Sequence, residues 1–131
     1  MFFFYRQNNS YGVFDIVEED GISIFVIIEA EDDLHADRRA QQIGIYFDES
    51  FVVDCDCCGA RWSRAEGKDG TTVPCYYHIP VHDKPYSVIN WAADAPQGFI
   101  HYLDGRREAV WLEDGVLHVK PWPEAEALAA A

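Results

Sequence analysis

The most reactive side chains of the chain fall in one short run, Asp54-Cys55-Asp56-Cys57-Cys58-Gly59-Ala60-Arg61-Trp62. Cys55 and Cys58 have C-x2-C spacing closed by a glycine. In such a turn two thiolates can face one ion while backbone N–H groups donate to the sulfurs. Further on, Cys75-Tyr76-Tyr77-His78 adds a C-x2-H pair, so the whole reads C-x2-C-x16-C-x2-H. That is the spacing of a ribbon-type Cys3His site, and three soft sulfurs with one imidazole suit tetrahedral, structural zinc held by Cys55, Cys58, Cys75 and His78. Cys57 is left outside this set. Two other readings stand beside it: four small buried hydrophobes, or an oxidation-sensitive vicinal pair at Cys57-Cys58. Calcium at Asp48, Glu49, Asp54 and Asp56 does not fit an EF-hand loop, because the downstream glycine and bidentate glutamate are missing.

The histidines give no catalytic pattern. His78 and His82 are four apart, but Pro80 lies between them and their flanks are strand-like, so they do not form a helical metal pair. His101 and His118 fall one each on two strands, where a surface or cross-strand histidine is ordinary. There is no phosphate-cradling glycine loop, nucleophile elbow or Ser/His/Asp order, so the expectation is a protein without catalytic residues.

Elements must position these groups, and 131 residues suffice for one hydrophobic core. With 49% apolar and 15% aromatic residues, the chain can offset its ordering entropy and is not disordered throughout. Phe2–Arg6 and Tyr11–Val17 read as two strands of an N-terminal β-hairpin around Gln7-Asn8-Asn9-Ser10. Residues Ile22–Ala30 are too continuously apolar for a strand with one wet face and suggest a strand covered on both sides. Glu31–Ile43 reads as the one main helix, with acidic residues at its start, Gly44 after its last turn, and Ala36, Ala40 and Ile43 along one narrow face. Ile45–Phe47 resumes as a strand, giving a strand–helix–strand unit. Asp48–Pro96 is irregular and cysteine-bearing. Asp104-Gly105 and Asp114-Gly115 separate three alternating segments into an antiparallel meander. The expected fold is therefore a single α+β domain over residues 1–123, with a mostly antiparallel sheet, followed by an Ala-rich tail at 124–131.

Charge narrows the partner. Ten Lys and Arg against 23 Asp and Glu leave −13 with neutral histidines, which disfavours nucleic acid and anionic membrane surfaces. No stretch approaches the roughly 20 apolar residues of a membrane span. The N-terminus lacks a basic region before its apolar run, so a reducing intracellular compartment is expected. Acidic runs at Glu18–Asp20, Glu29–Asp33 and Asp48–Asp56 could meet a basic protein surface, with aromatic residues as anchors.

Phe3-Phe4-Tyr5-Arg6-Gln7-Asn8-Asn9-Ser10, Val26–Ala30, Ile43-Gly44-Ile45-Tyr46-Phe47-Asp48 and the Asp54–Trp62 block together resemble a family of small uncharacterised bacteriophage proteins over about residues 2–64. The resemblance implies the cytoplasm of an infected bacterium as the setting and transfers no catalytic residues. The functional expectation is a non-enzymatic binder of a host macromolecule, zinc-stabilised through its cysteines. A virion structural component and a small metal-dependent enzyme are the alternatives.

Overall fold

A computed structural model gives the fold of residues 1–8, 14–47, 61–86 and 94–123. In chain order its elements are β1 (Phe2–Arg6), β2 (Phe25–Glu29), helix α1 (Asp33–Ile43), the short strands β3 (Cys75–Tyr76) and β4 (Ile79–Pro80), then β5 (Gly98–His101), β6 (Arg107–Glu113) and β7 (Val116–Pro121). The main sheet runs β1-β2-β5-β6-β7, and β3 pairs with β4 separately. Every neighbouring pair in the main sheet is antiparallel except β2 and β5, which are parallel. This is a single α+β arrangement, as expected.

Alternation along β1 and β2 explains why both strands are so apolar. Phe3, Tyr5, Val26 and Ile28 face α1, where they pack with Ala36, Ala40, Ile45 and Trp62. Phe2, Phe25 and Ile27 face the other way and join Val81, Ile100, Val110 and Leu117, with Phe4 and Tyr76 packed alongside. Two cores thus share one sheet, and β2 lies in both. Val26, Ile27 and Ile28 are wholly buried, each contributing about 1.5–3 kcal/mol on removal from water.

The helix forms where its sequence provides both ends. Asp32 is the N-cap, its carboxylate accepting from the His35 N–H at 2.8 Å, and Gly44 closes the C-terminus in a left-handed conformation. Ala36 and Ala40 are fully buried, so the small-residue face sets a close approach to the sheet. Asp37 is buried beside them. It accepts from the Tyr5 hydroxyl at 2.8 Å and the Ala65 N–H at 2.9 Å, while Arg64 lies 3.7 Å away. Burial, then the bond to Asp37, push the Tyr5 hydroxyl well above the ordinary tyrosine range.

The meander follows the glycine signals. Asp114 and Gly115 both have positive φ between paired Glu113 and Val116, the two-residue turn whose twist suits a hairpin. Both outer edges of the sheet are partly occupied by the chain itself. Phe2 exchanges two backbone bonds with Thr71, at 2.7 and 2.9 Å, and the Asn8 N–H donates to Arg61. At the far edge the Leu117 N–H donates to Pro85 at 3.0 Å, and Tyr86 bridges Val116.

Two expectations need correction. The described partner of β1 is β2, and of the strand expected at 11–17 residues 11–13 lie outside the described residues. Among the described residues of that segment, only Val17 forms a ladder contact, an isolated bridge to Ile22. The side chain of buried Gln7 takes a strand's role there, donating to the Asp15 and Ser23 carbonyls and accepting from the Asp15 N–H. Ile45–Phe47 is not a strand either; the parallel neighbour of β2 is β5. Ile45 is apolar because it packs in the core beneath the helix. The tail at 124–131 lies outside the described residues.

Candidate functional site

Of the four residues expected to bind zinc, Cys75 and His78 share the β3–β4 hairpin, while Cys55 and Cys58, with Cys57, lie outside the described residues. Cys75 is buried and is a free thiol. His78 is exposed in the two-residue turn after Tyr77, whose φ is +56°, and lines a pocket of about 220 Å³ with Phe4, Asp69 and Tyr77. Cys75 is not among the lining residues of that pocket. Among the described residues no group of three or more His, Cys, Asp or Glu could hold a metal ion.

The other histidines have separate roles. His101 is buried at the helix-facing side of β5, its Nε2 2.8 Å from the Gly21 carbonyl oxygen. Burial lowers its pKa below the ordinary value. The Gly21 bond opposes that, and the nearby Arg107 and Arg39 reinforce it. A neutral ring donating Nε2–H to the carbonyl satisfies this geometry. The ring is packed so tightly that a Cβ on Gly21 would sit 2.6 Å from it. His118 stands opposite Trp111 in the β6–β7 ladder, the cross-strand position expected. His82 Nε2 is 3.5 Å from a Glu108 carboxylate oxygen that also accepts the Tyr102 hydroxyl.

Tyr102 leads to a site that was not apparent from motifs. Glu29 ends β2, and Tyr102-Leu103 follow β5. Because these strands are parallel neighbours, their C-terminal ends open together, a position where open sheets tend to take ligands. Arg39 of α1 ties the two ends, donating to the Glu29 carbonyl and, at 3.0 Å, to the Tyr102 carbonyl. The Leu103 N–H closes the ring by donating to Glu29 Oε1 at 2.9 Å. In front of this frame lies an open cleft of about 570 Å³ lined by Phe2, Glu29, Tyr102, Leu103, Asp104 and Arg106.

The cleft has an aromatic floor and two carboxylates. Phe2 and Tyr102 meet edge to face with centroids 5.7 Å apart, and the Arg106 guanidinium stacks 4.0 Å from the Tyr102 centroid. Burial and then the bond to Glu108 raise the Tyr102 hydroxyl above the ordinary tyrosine range, so it remains a neutral donor at neutral pH. A ring face with carboxylates nearby suits a cation. Among the described residues the lining includes no cysteine, serine, lysine or histidine.

Fold and site define a small acidic α+β domain, with one helix on a five-stranded mixed sheet and a cation-suited cleft at the end of its parallel strand pair. The chain belongs to the family of the domain of unknown function DUF7296, whose family model matches residues 1–119. Comparisons with curated proteins and with solved structures gave no match.

Proposed function

We propose that this chain is a non-enzymatic binding domain that takes hold of a basic surface on another protein. The observation that carries the proposal is how its charges are arranged. Arg39, Arg61, Arg64, Lys68, Arg106, Arg107 and Lys120 all contact the chain's own carbonyls, carboxylates or rings. Glu18, Glu19, Asp20, Glu31, Asp32 and Asp104 are exposed. The negative potential is therefore presented outward, and it steers and orients a basic partner in a salt-dependent way.

The resemblance of residues 2–64 supports a bacteriophage protein acting on a host macromolecule in the bacterial cytoplasm. Among the described residues no helix is long and apolar enough to cross a membrane. Nucleic acid is a poor partner for a chain with a formal charge of −13. No observation favours a virion component built by strand addition, since the outer edge of β7 is met at Leu117 by Pro85.

Zinc enters the proposal as a structural ion, with Cys55, Cys58, Cys75 and His78 as its ligands and Cys57 outside. Such binding would be folding energy for the middle of the chain. Metal analysis of protein purified without added zinc tests it. Cys75→Ser should lose the metal and Cys57→Ser should keep it, and equal loss from both would refute the ligand set.

The function is tested by affinity capture from bacterial lysate at low and high salt, with mass spectrometry of retained proteins. A specific basic protein released at high salt supports an electrostatic binder. Capture of nothing above background, together with turnover in a small-molecule activity screen, overturns it in favour of an enzyme.

A further inference from the structure

We infer that Arg106 is an internal stand-in for the partner's cation. The cleft at the ends of β2 and β5 recognises an arginine side chain of a basic protein segment, and Arg106 occupies that position in the unbound chain. The inference rests on the proposed binding function and adds the ligand group, its seat and an autoinhibitory contact.

The structure already places a guanidinium on this seat. The Arg106 group lies 4.0 Å from the Tyr102 ring centroid in a cleft that also holds Glu29 and Asp104. Its tether makes exchange feasible. Arg106 is exposed on the turn between β5 and β6, and its backbone is fixed independently of the guanidinium. The Arg106 carbonyl accepts from the Tyr102 N–H at 2.9 Å, and its own N–H donates to Asp104 Oδ1. Among the described residues the guanidinium makes no ion pair or hydrogen bond, so stacking holds it.

The seat is more firmly built than its occupant. The Tyr102 hydroxyl donates to Glu108, its carbonyl accepts from Arg39, and its ring meets Phe2 edge on. Glu29 is fixed through one oxygen by the Leu103 N–H, and Asp104 through one by the Arg106 N–H. The second oxygen of each carboxylate has no partner among the described residues. An incoming guanidinium can thus stack on Tyr102 and add the carboxylate bonds that the short turn does not give Arg106. A planar guanidinium suits both contacts better than a compact ammonium.

The test uses the full chain and an oligo-arginine peptide at low salt, followed by NMR shifts of Tyr102 and Leu103, with oligo-lysine and oligo-glutamate for comparison. Wild type should bind oligo-arginine more tightly than oligo-lysine and should ignore oligo-glutamate. Arg106→Gln should tighten oligo-arginine binding at least about threefold, since an exposed stacking contact no longer competes. Tyr102→Leu should weaken it, whereas Tyr102→Phe, which keeps the ring face, should bind as wild type does. Shifts at Tyr102 and Leu103 with no gain in Arg106→Gln would overturn the stand-in role and leave the basic-partner reading intact. No binding of oligo-arginine by wild type or Arg106→Gln would overturn both.

Discussion

Gly98 offers the sharpest test of the packing between the two central strands. It begins β5 directly opposite Phe25 of β2, and a Cβ built there would lie 2.2 Å from Phe25 Cε2, with two further ring atoms at 2.4 Å. Ordinary carbon contacts need about 3.5–4.0 Å, so more than an ångström must be found. The ring cannot readily yield it. Phe25 is 2% exposed and is held between Phe4 and Tyr76, at centroid distances of 5.5 and 5.1 Å. Nor can β5 slide, because it is paired with β2 on one side and β6 on the other.

Gly98→Ala should therefore cost about 3 kcal/mol, the upper part of the range for overpacking. That is a large share of the roughly 5–15 kcal/mol that stabilises a domain. Urea unfolding should show the midpoint falling by about 1 M or more, for a slope of about 1–3 kcal/mol per molar. The mechanism is isolated by repeating the substitution in a Phe25→Leu background, where the clashing ring atoms are absent. There the added methyl should cost about 1 kcal/mol or less, a coupling of about 2 kcal/mol. A Gly98→Ala protein within about 0.5 kcal/mol of wild type, or an equal cost in both backgrounds, would refute the reasoning.

Three further outcomes are expected. Ala40→Leu should force α1 from the sheet and cost about 1–3 kcal/mol in urea unfolding, since Ala40 is wholly buried; unchanged stability would show that the face can part. Tyr5→Phe removes the hydroxyl that donates to buried Asp37 and should cost about 1–3 kcal/mol in the same assay; an unchanged midpoint would show that the carboxylate does not depend on it. His101 has a lowered folded pKa, so the unfolded chain binds its proton first as pH falls from 6.5; the stability it contributes is intact above that pH and is lost as pH drops through the lower folded value. The His101→Gln protein should lose less stability than wild type between about pH 7 and pH 5, and parallel pH profiles would contradict the buried neutral ring.

The elements that could be read from sequence are those whose signals are local. The acidic start, the terminal Gly44 and the alanine face define α1, and Asp114-Gly115 defines its hairpin, because each depends on a few adjacent residues. The double-sided burial of β2 also follows from its continuous apolar run. Partner choice did not follow, since Phe2–Arg6 is equally suited to any strand offering two apolar faces. Over residues 14–17 the hairpin reading did not foresee Gln7 satisfying the Asp15 backbone with a side chain. The triplet Ile45–Phe47 looks like a strand because burial under a helix and burial in a sheet select similar residues.

The site was hidden for the same reason. Glu29 and Tyr102 are 73 positions apart in sequence and meet only because β2 and β5 are parallel neighbours, a pairing with no local signal. The one hint was an arginine, Arg39, on the helix face next to the buried alanines, a costly residue to place there without carbonyls to receive it. The reactive-looking cysteines drew attention first because their spacing is a local pattern.

The backbone bonds that Thr71, Arg61 and Pro85 make along the sheet margins have a consequence for how copies of this chain coexist. The first strand, Phe2-Phe3-Phe4-Tyr5, combines high β-propensity with no charge, the makeup of a segment that stacks on copies of itself once its outward amides are free. Thr71 pairs with Phe2 at one end of this margin, Arg61 accepts from Asn8 just past the other, and Pro121 removes a donor from the opposite margin. Concentrated chains therefore meet one another across carboxylates rather than across open ladders, which favours a dispersed solution over fibres. A cut that released residues 61–71 from β1 would remove that protection and would also draw Trp62 out of the helix-side core.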